Sequence, residues 1–359
     1  MTWDEARAQF PVLQHYAYLN AGTNGPIARA TAEAMAEQER LDLERGRGGP
    51  AYFERALELR DEVRAKLAAA VGAPAELTSL ATSTTNGCNI VLAGLGLGPD
   101  DDVVTTDGEH FGLLGALASS PARVRVASVR ELPPEESLEV LIGEATPRTK
   151  LFGLSHVCWM SGNRFPAEEL REATGIPVLV DGAQSAGAIE VDATAFDFFA
   201  FSCQKWLCGP DATGGLVVRD PERLRVTAPS YLSQQAYEPT GEFTPREGAA
   251  RYDSNWTAVP SLAGLAAALD ARPEGGFERA LEMAERCRTL LGDLVVTAPG
   301  QGTLVAFRVD GDPAELVPQL YDAGVVVRSV PGEPWIRVSC GWWTSDQDLE
   351  RLVAALPQA

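Results

Sequence analysis

A lysine at the end of an apolar strand is placed for covalent chemistry. The stretch Phe196–Pro210 reads FDFFAFSCQKWLCGP, and Lys205 stands at its polar end. The chain has only three lysines, Lys66, Lys150 and Lys205, among 30 lysines and arginines; Lys66 falls in a helical pattern and Lys150 just before a strand. Desolvation at such a position lowers an amine's pKa and makes it a nucleophile for a carbonyl carbon, although a lysine there can also simply stretch to solvent. Three other groups have comparable placing. Asp181 ends the run PVLVD, where a buried carboxylate needs a cation or hydrogen-bond donor, while an Asp before Gly182 is also a turn former. Thr84 and Thr85 open a helix whose free N–H groups and dipole favour an anion, yet Ser and Thr are ordinary caps as well. His110 and Phe111 offer two rings, either able to cover a flat ligand, or else a cap and a core residue.

Each of these groups follows a β-rich run. From LTSLATS onward short strands alternate with helices, through DVVTTD, ARVRVASV, KLFGLSHV, PVLVDGA, FDFFAFS and GGLVVRD. Strand followed by helix, repeated, predicts an α/β fold with a mostly parallel sheet covered on both faces. Ligands of such sheets bind outside the carboxyl ends of the strands, where all four groups lie. Helical periodicity precedes the sheet from about Ile27 to Arg45 and from Ala51 to Val71. Beyond Glu222 comes a polar loop around YEPTGEFTPREGAARYDSN, then a helix from Ser261 and a compact α+β unit. Its last helix is capped by Ser345 and Asp348, with Leu349, Leu352, Val353 and Leu356 on one face. We expect a large domain over residues 16–255 and a small one built from 1–15, including an N-terminal helix, and 256–359.

Fifty acidic against 30 basic residues give a formal charge of −20, which repels nucleic acid and anionic membranes, so any bound anion must be captured locally. No apolar run approaches the ~20 residues of a membrane helix, and the acidic start MTWDEARAQFP reads as a short helix capped by Thr2 and Glu5, not as a secretory signal. The expected compartment is the cytoplasm. The six cysteines form no CxxC pair and share no spacing with the three histidines, which argues against structural zinc and a disulfide framework. GLGLGP at Gly94–Pro99 follows a helix where a dinucleotide site would join strand to helix, so it reads as a turn.

Taken together, the four groups describe one ligand: a phosphate for the Thr84/Thr85 helix, a flat ring for His110 or Phe111, a protonated ring nitrogen facing Asp181, and an aldehyde for Lys205. Pyridoxal 5′-phosphate has all four, and its ring draws electrons from an amino acid's α-carbon. VDGAQSAGAIEVD, the spacer ATAFDFFA and FSCQKWLCGPDATGGLVV resemble the signature of the class V aminotransferase and cysteine desulfurase family of fold type I enzymes, with STTNGCN and TTDGEHFG upstream in the family's order. The resemblance runs from YLNAGTNGP to IRVSCGWWTSDQDLERLV. It implies a seven-stranded sheet in the large domain and a homodimer with shared active sites, the loop Arg251–Thr257 reaching the neighbour. It further implies that Lys205 holds the cofactor, Asp181 its ring nitrogen and Gln184 its ring hydroxyl. Thr85, Ser202 and Gln204 hold the phosphate with Thr84 beside them, and His110 stacks on the ring. Arg337 takes the substrate carboxylate, and Asn20 and Trp159 also face the substrate. Many relatives carry His in place of Gln204 and Asn in place of Trp159, so this pocket is more apolar.

The reaction expected is β-elimination at a carbon–sulfur bond of an amino acid. A desulfurase of this family needs a cysteine on a mobile loop, and the link SVPGEPWI between Arg328 and Arg337 has none. Cys340 lies beyond Arg337, and Cys158, Cys203 and Cys208 read as packing. Hercynylcysteine sulfoxide lyase-like members follow this pattern. Epimerisation, as in isopenicillin N epimerase-like members, and transamination are the alternatives, and a non-catalytic protein that only binds the cofactor is the rival of another class. The joint presence of Lys205, Asp181 and Arg337 argues against that rival.

Overall fold

The structure is a computed structural model that describes residues 2–357. A short helix α1 (Trp3–Arg7), closed by the capping box of Thr2 and Glu5, leads to strand β1 (Ala17–Tyr18) and two long helices, α2 (Arg29–Arg45) and α3 (Pro50–Ala70). Then strands and helices alternate: β2 (Thr78–Ala81), α4 (Thr84–Leu95), β3 (Asp102–Thr106), α5 (Phe111–Ser119), β4 (Arg123–Ala127), α6 (Pro134–Glu144) and β5 (Thr149–Ser155). Next come α7 (Ala167–Thr174), β6 (Val178–Asp181), β7 (Phe198–Ser202) and β8 (Gly214–Val218). These strands form a seven-stranded sheet of order β2-β8-β7-β6-β5-β3-β4, parallel from β7 through β4 and antiparallel on both sides of β8.

The apolar runs are continuous because the sheet is buried on both faces. Phe152, Val178, Val180, Phe199 and Phe201 pack into one core, and Leu151, Leu179, Phe198 and Ala200 into another on the opposite side. That double burial leaves the strand ends as the places where polar side chains can meet a ligand. Gly96 ends α4 in the left-handed conformation, so GLGLGP is a helix-terminating turn as expected.

Residues 230–250 carry more structure than a polar loop. A hairpin of β9 (Gln234–Tyr237) and β10 (Phe243–Pro245) stands on its own, paired to no other strand. Its missed signal is the turn PTG between two short β-rich pieces. The following loop is tied to the large unit through Asp253, which is buried between Arg60 and Arg64 of α3 at 2.9 and 2.7 Å and also accepts from the Leu80 N–H at 2.9 Å.

Helix α8 (Val259–Asp270), expected in the small unit, packs against α2 and α3, because its apolar face completes theirs. Beyond it lie α9 (Gly276–Leu291), β11 (Leu304–Arg308), α10 (Pro313–Asp322), β12 (Val325–Val326), β13 (Arg328–Ser329), β14 (Trp335–Ser339) and α11 (Asp346–Ala355). Strand β1 pairs in parallel with β12, so residues 17–18 join the C-terminal unit although the expected boundary at 16 put them with the large one. Ser345 and Asp348 form the anticipated capping box of α11. Leu349 and Leu352 are buried while Val353 is 37% exposed, since it falls a quarter-turn past the packed stripe. All six cysteines are free and buried. No helix is long and apolar enough to cross a membrane among the described residues.

Candidate active site

At the carboxyl end of the sheet a cleft of about 180 Å³ gathers Thr84, Thr85, His110, Trp159, Asp181, Gln184, Ser202, Gln204 and Lys205. Lys205 follows β7 and has no hydrogen-bond or ion-pair partner among the described residues. Burial pushes its amine down to about 8, Asp181 working the other way and Arg337 and Arg328 adding to the fall. Asp181 closes β6. Its Oδ1 accepts from the Ala183 N–H at 2.9 Å, so it is a turn former, while Oδ2 has no protein donor among the described residues. Burial raises this carboxyl, and the Lys205 ammonium opposes the rise.

The anion cradle is built at the start of α4. Ser83 caps the helix through the Asn86 N–H, and the Thr84 N–H and Oγ1 are both engaged by Ser202 Oγ at 2.9 and 2.7 Å. That pairing fixes the β7 end against the helix and leaves the Thr85 N–H and hydroxyl unpartnered among the described residues. A side chain at Gly112 would place its Cβ 2.6 Å from Thr85 Oγ1, so glycine there keeps the cradle open. His110 caps α5, accepting from the Gly112 N–H at Nδ1, which puts its proton on Nε2; its ring meets Trp159 edge-on at 5.3 Å. Burial and Lys205 lower its pKa, keeping it neutral. Of the two candidate rings, Phe111 turns outward and is 79% exposed. Gln184 donates to the Gly22 carbonyl and accepts from Trp206 Nε1, with one amide hydrogen to spare. Gln204 Oε1 is buried without a donor among the described residues.

Arg337 and Asn20 stand beside this cleft. Arg337 is 1% exposed, not an exposed strand residue, and it donates to the Trp159 carbonyl at 2.8 Å and to Thr23 Oγ1 at 3.2 Å. Thr23 Oγ1 in turn donates to Asn20 Oδ1 at 2.8 Å. Nε of Arg337 is buried with no acceptor among the described residues, and burial pulls the guanidinium down to about 9.

Sequence reasoning missed three residues. Arg328 lies directly opposite Arg337 in the antiparallel pairing of β13 and β14, its guanidinium 5.7 Å over Trp159, and neither arginine has a carboxylate partner among the described residues. Like charges facing each other across strands repel, so the pair calls for an anion between them. The signal was two arginines flanking the turn PGEP, which makes them cross-strand neighbours. Ser155 and Glu109 lie behind Asp181: Ser155 pairs with Asp181 in the sheet register and gives both its N–H and its hydroxyl to the Glu109 carboxylate, at 2.9 and 2.5 Å.

Burial raises Glu109 from 4.5 to about 7. The folded state therefore holds a proton that the unfolded chain releases, and the resulting stability is full below about 4.5 and lost as pH rises through about 7. Glu109→Gln removes this dependence. In chemical denaturation between pH ~5 and ~8 the variant should gain on the wild type as pH rises, by on the order of 1–3 kcal/mol; parallel curves would place the titration elsewhere.

The aminotransferase class-V family model matches residues 17–329. The chain belongs to that family. Across 99% of its length and 97% of the relative's it is 30% identical to isopenicillin N epimerase of Streptomyces clavuligerus. It is 25% identical to a probable cysteine desulfurase of Xylella fastidiosa, over 99% of this chain and 94% of that one. A solved complex of the cystine C–S lyase C-DES with its reaction product cysteine persulfide superposes with a TM-score of 0.90 at 28% identity, covering 96% and 98% of the two chains. As a class-V family member the chain is a pyridoxal 5′-phosphate-dependent enzyme of fold type I. The cleft fits that cofactor: an unpartnered Thr85 N–H, a glycine whose Cβ would fill the cradle, an orphaned Gln204 oxygen, and an unpaired lysine facing a carboxylate.

Proposed function

We propose that this class-V enzyme is a carbon–sulfur lyase that eliminates the sulfur substituent from a cysteine derivative. The observation that carries the proposal is the absence of an available thiol. Among the described residues every cysteine is buried; burial raises Cys88, Cys158, Cys203 and Cys208 above the ordinary thiol range, and the hydrogen bond with Cys287, then burial, raises Cys340. Cys158, beside Trp159, is 0% exposed and donates to the Gly108 carbonyl, so it is an inert packing group. Sulfur cut from the substrate has no acceptor on the protein and leaves with the product.

Thr85, with Thr84, Ser202 and Gln204 around it, would hold the phosphate; His110 would cover the ring; Gln184 would meet the ring hydroxyl with its free N–H; Asp181 would keep a proton on the ring nitrogen. Lys205 would hold the aldehyde carbon. Bound there, pyridoxal 5′-phosphate supplies the electron sink that makes the α-proton of an amino acid acidic. Arg337 grips the α-carboxylate in two parallel bonds, with Asn20 holding Thr23 against it. The Lys205 amine, which burial brings down to about 8, takes the α-proton in its neutral form. The Cβ–S bond then breaks with its electron pair on sulfur, a proton completes the thiol product, and water converts the remainder to an oxo acid and ammonia. Arg328 gives the site a second anion holder, suiting a substrate with a distal carboxylate such as cystine. Trp159, whose indole N–H has no partner among the described residues, adds a largely apolar wall beside Arg328.

The test offers cystine and follows pyruvate, ammonia and cysteine persulfide in equal amounts. A persulfide carried on the protein itself, formed from free cysteine and lost with one cysteine substitution, sinks the lyase reading. Epimerisation is the second reading, carried by the 30% identity to isopenicillin N epimerase; recovery of the opposite enantiomer without oxo acid would establish it. We also propose a cytoplasmic homodimer. Its reducing compartment is supported by six unpaired cysteines, and its interface by the aromatic cluster Tyr52, Phe53 and Trp256, of which Phe53 and Trp256 are 47% and 39% exposed.

A further inference from the structure

A second cavity, of about 390 Å³, lies behind the lysine and is larger than the cleft itself. Its walls are Ala69 of α3, Ala268 of α8, Phe277 of α9 and Trp342, and its floor is the ring of Trp206, the residue after Lys205. The size is that of a small-molecule site, and the lining is mostly apolar with few polar groups. One of those polar groups has an unmet need. Arg272 donates from Nη1 to the Gly187 carbonyl at 3.0 Å and stacks 3.6 Å over the Phe277 ring, while its Nη2 is buried with no partner among the described residues. The nearby carboxylates Glu274 and Glu278 make no ion pair with it among the described residues. Lys66, on the same wall, is by contrast satisfied by Glu62 and Asp270, at 3.0 and 2.5 Å. Arg272 is half-buried, and a guanidinium with a buried, unmatched N–H attracts an anion.

We propose that this cavity is an effector site for a small amphipathic carboxylate, the apolar body lying between Ala69 and Trp342 and the head meeting Arg272. The floor gives the ligand a route to the chemistry. Trp206 Nε1 donates to Gln184 Oε1 at 3.0 Å, and Gln184 lines the catalytic cleft and holds the Gly22 carbonyl. A ligand that shifts the indole therefore shifts Gln184.

Octanoate and octan-1-ol are titrated calorimetrically into the holoenzyme, and the absorption of the bound cofactor is followed at saturation. Octanoate should bind saturably and at least about tenfold more tightly than the alcohol, and should perturb the cofactor band. Arg272→Gln should erase that tenfold preference and leave octanol binding intact. Ala69→Trp, at an exposed position of the wall, should block both ligands while keeping Arg272 in place, which preserves the test if the arginine variant fails to fold. Equal affinity for acid and alcohol, octanoate binding unaffected by Ala69→Trp, no saturable heat up to ~10 mM, or a cofactor band indifferent to saturating octanoate would each overturn the proposal.

Discussion

Lys205→Ala should leave a folded protein whose turnover falls by at least about 10³-fold and whose cofactor washes away. The amine is asked to do two things: hold the cofactor covalently and carry the α-proton. No neighbour can replace it. Lys66 is committed to Glu62 and Asp270, and Lys150 sits exposed at the opposite end of β5. Borohydride reduction followed by peptide mass mapping should find the pyridoxyl group on Lys205 in the wild type and on no residue in the variant, with Lys66→Ala and Lys150→Ala unaffected. An adduct surviving in Lys205→Ala would move the site.

Asp181→Asn separates binding from catalysis. The amide keeps its oxygen for the Ala183 N–H and therefore keeps the turn. Nothing in the cradle of Thr84, Thr85, Ser202 and Gln204 changes, so cofactor content should be near normal. What disappears is the negative charge that stabilises a protonated ring nitrogen, and with it the electron sink, for a loss of roughly 10³-fold in kcat. The cofactor's absorption should shift with the loss of that proton. Near-normal kcat would reduce Asp181 to its turn-forming role.

The residues that were legible in the sequence share one property: their meaning depends on what lies next to them along the chain. Lys205, Thr85 and His110 each follow a strand and Asp181 ends one, and a parallel sheet collects its strand ends whatever the distances between them in sequence. Glu109, Ser155 and Arg328 acquire meaning only across the sheets, where Ser155 faces Asp181 and Arg328 faces Arg337, and strand register is not written locally. The same holds for Asp253, whose partner Arg64 is 189 positions away. His110 and Phe111 show a finer limit. Neighbouring residues at a helix start differ by about 100° in direction, so which ring enters the cleft depends on how α5 is rotated, and that is set by the packing of Leu113, Ala116 and Leu117. The α/β class and the alternating elements were readable throughout, because double burial imposes continuous apolar strands. The membership of β1 and α8 was not, because a two-residue strand and an alanine-rich helix carry too little pattern to choose a partner.

The pairing of β1 with β12 sets a schedule for synthesis. Ala17 is made 308 residues before its partner Val325, so with translation at ~5–20 residues per second β1 waits tens of seconds for its place. Arg60 and Arg64 wait likewise for Asp253, charged and unmatched, and β2 waits for β8. Through that interval the parallel core from β3 to β7 can assemble, β8 can then close on β2, and the β1–β12 pairing comes after both. Closure of the C-terminal unit is therefore a late event, and a block on β12 would leave β1 without its partner.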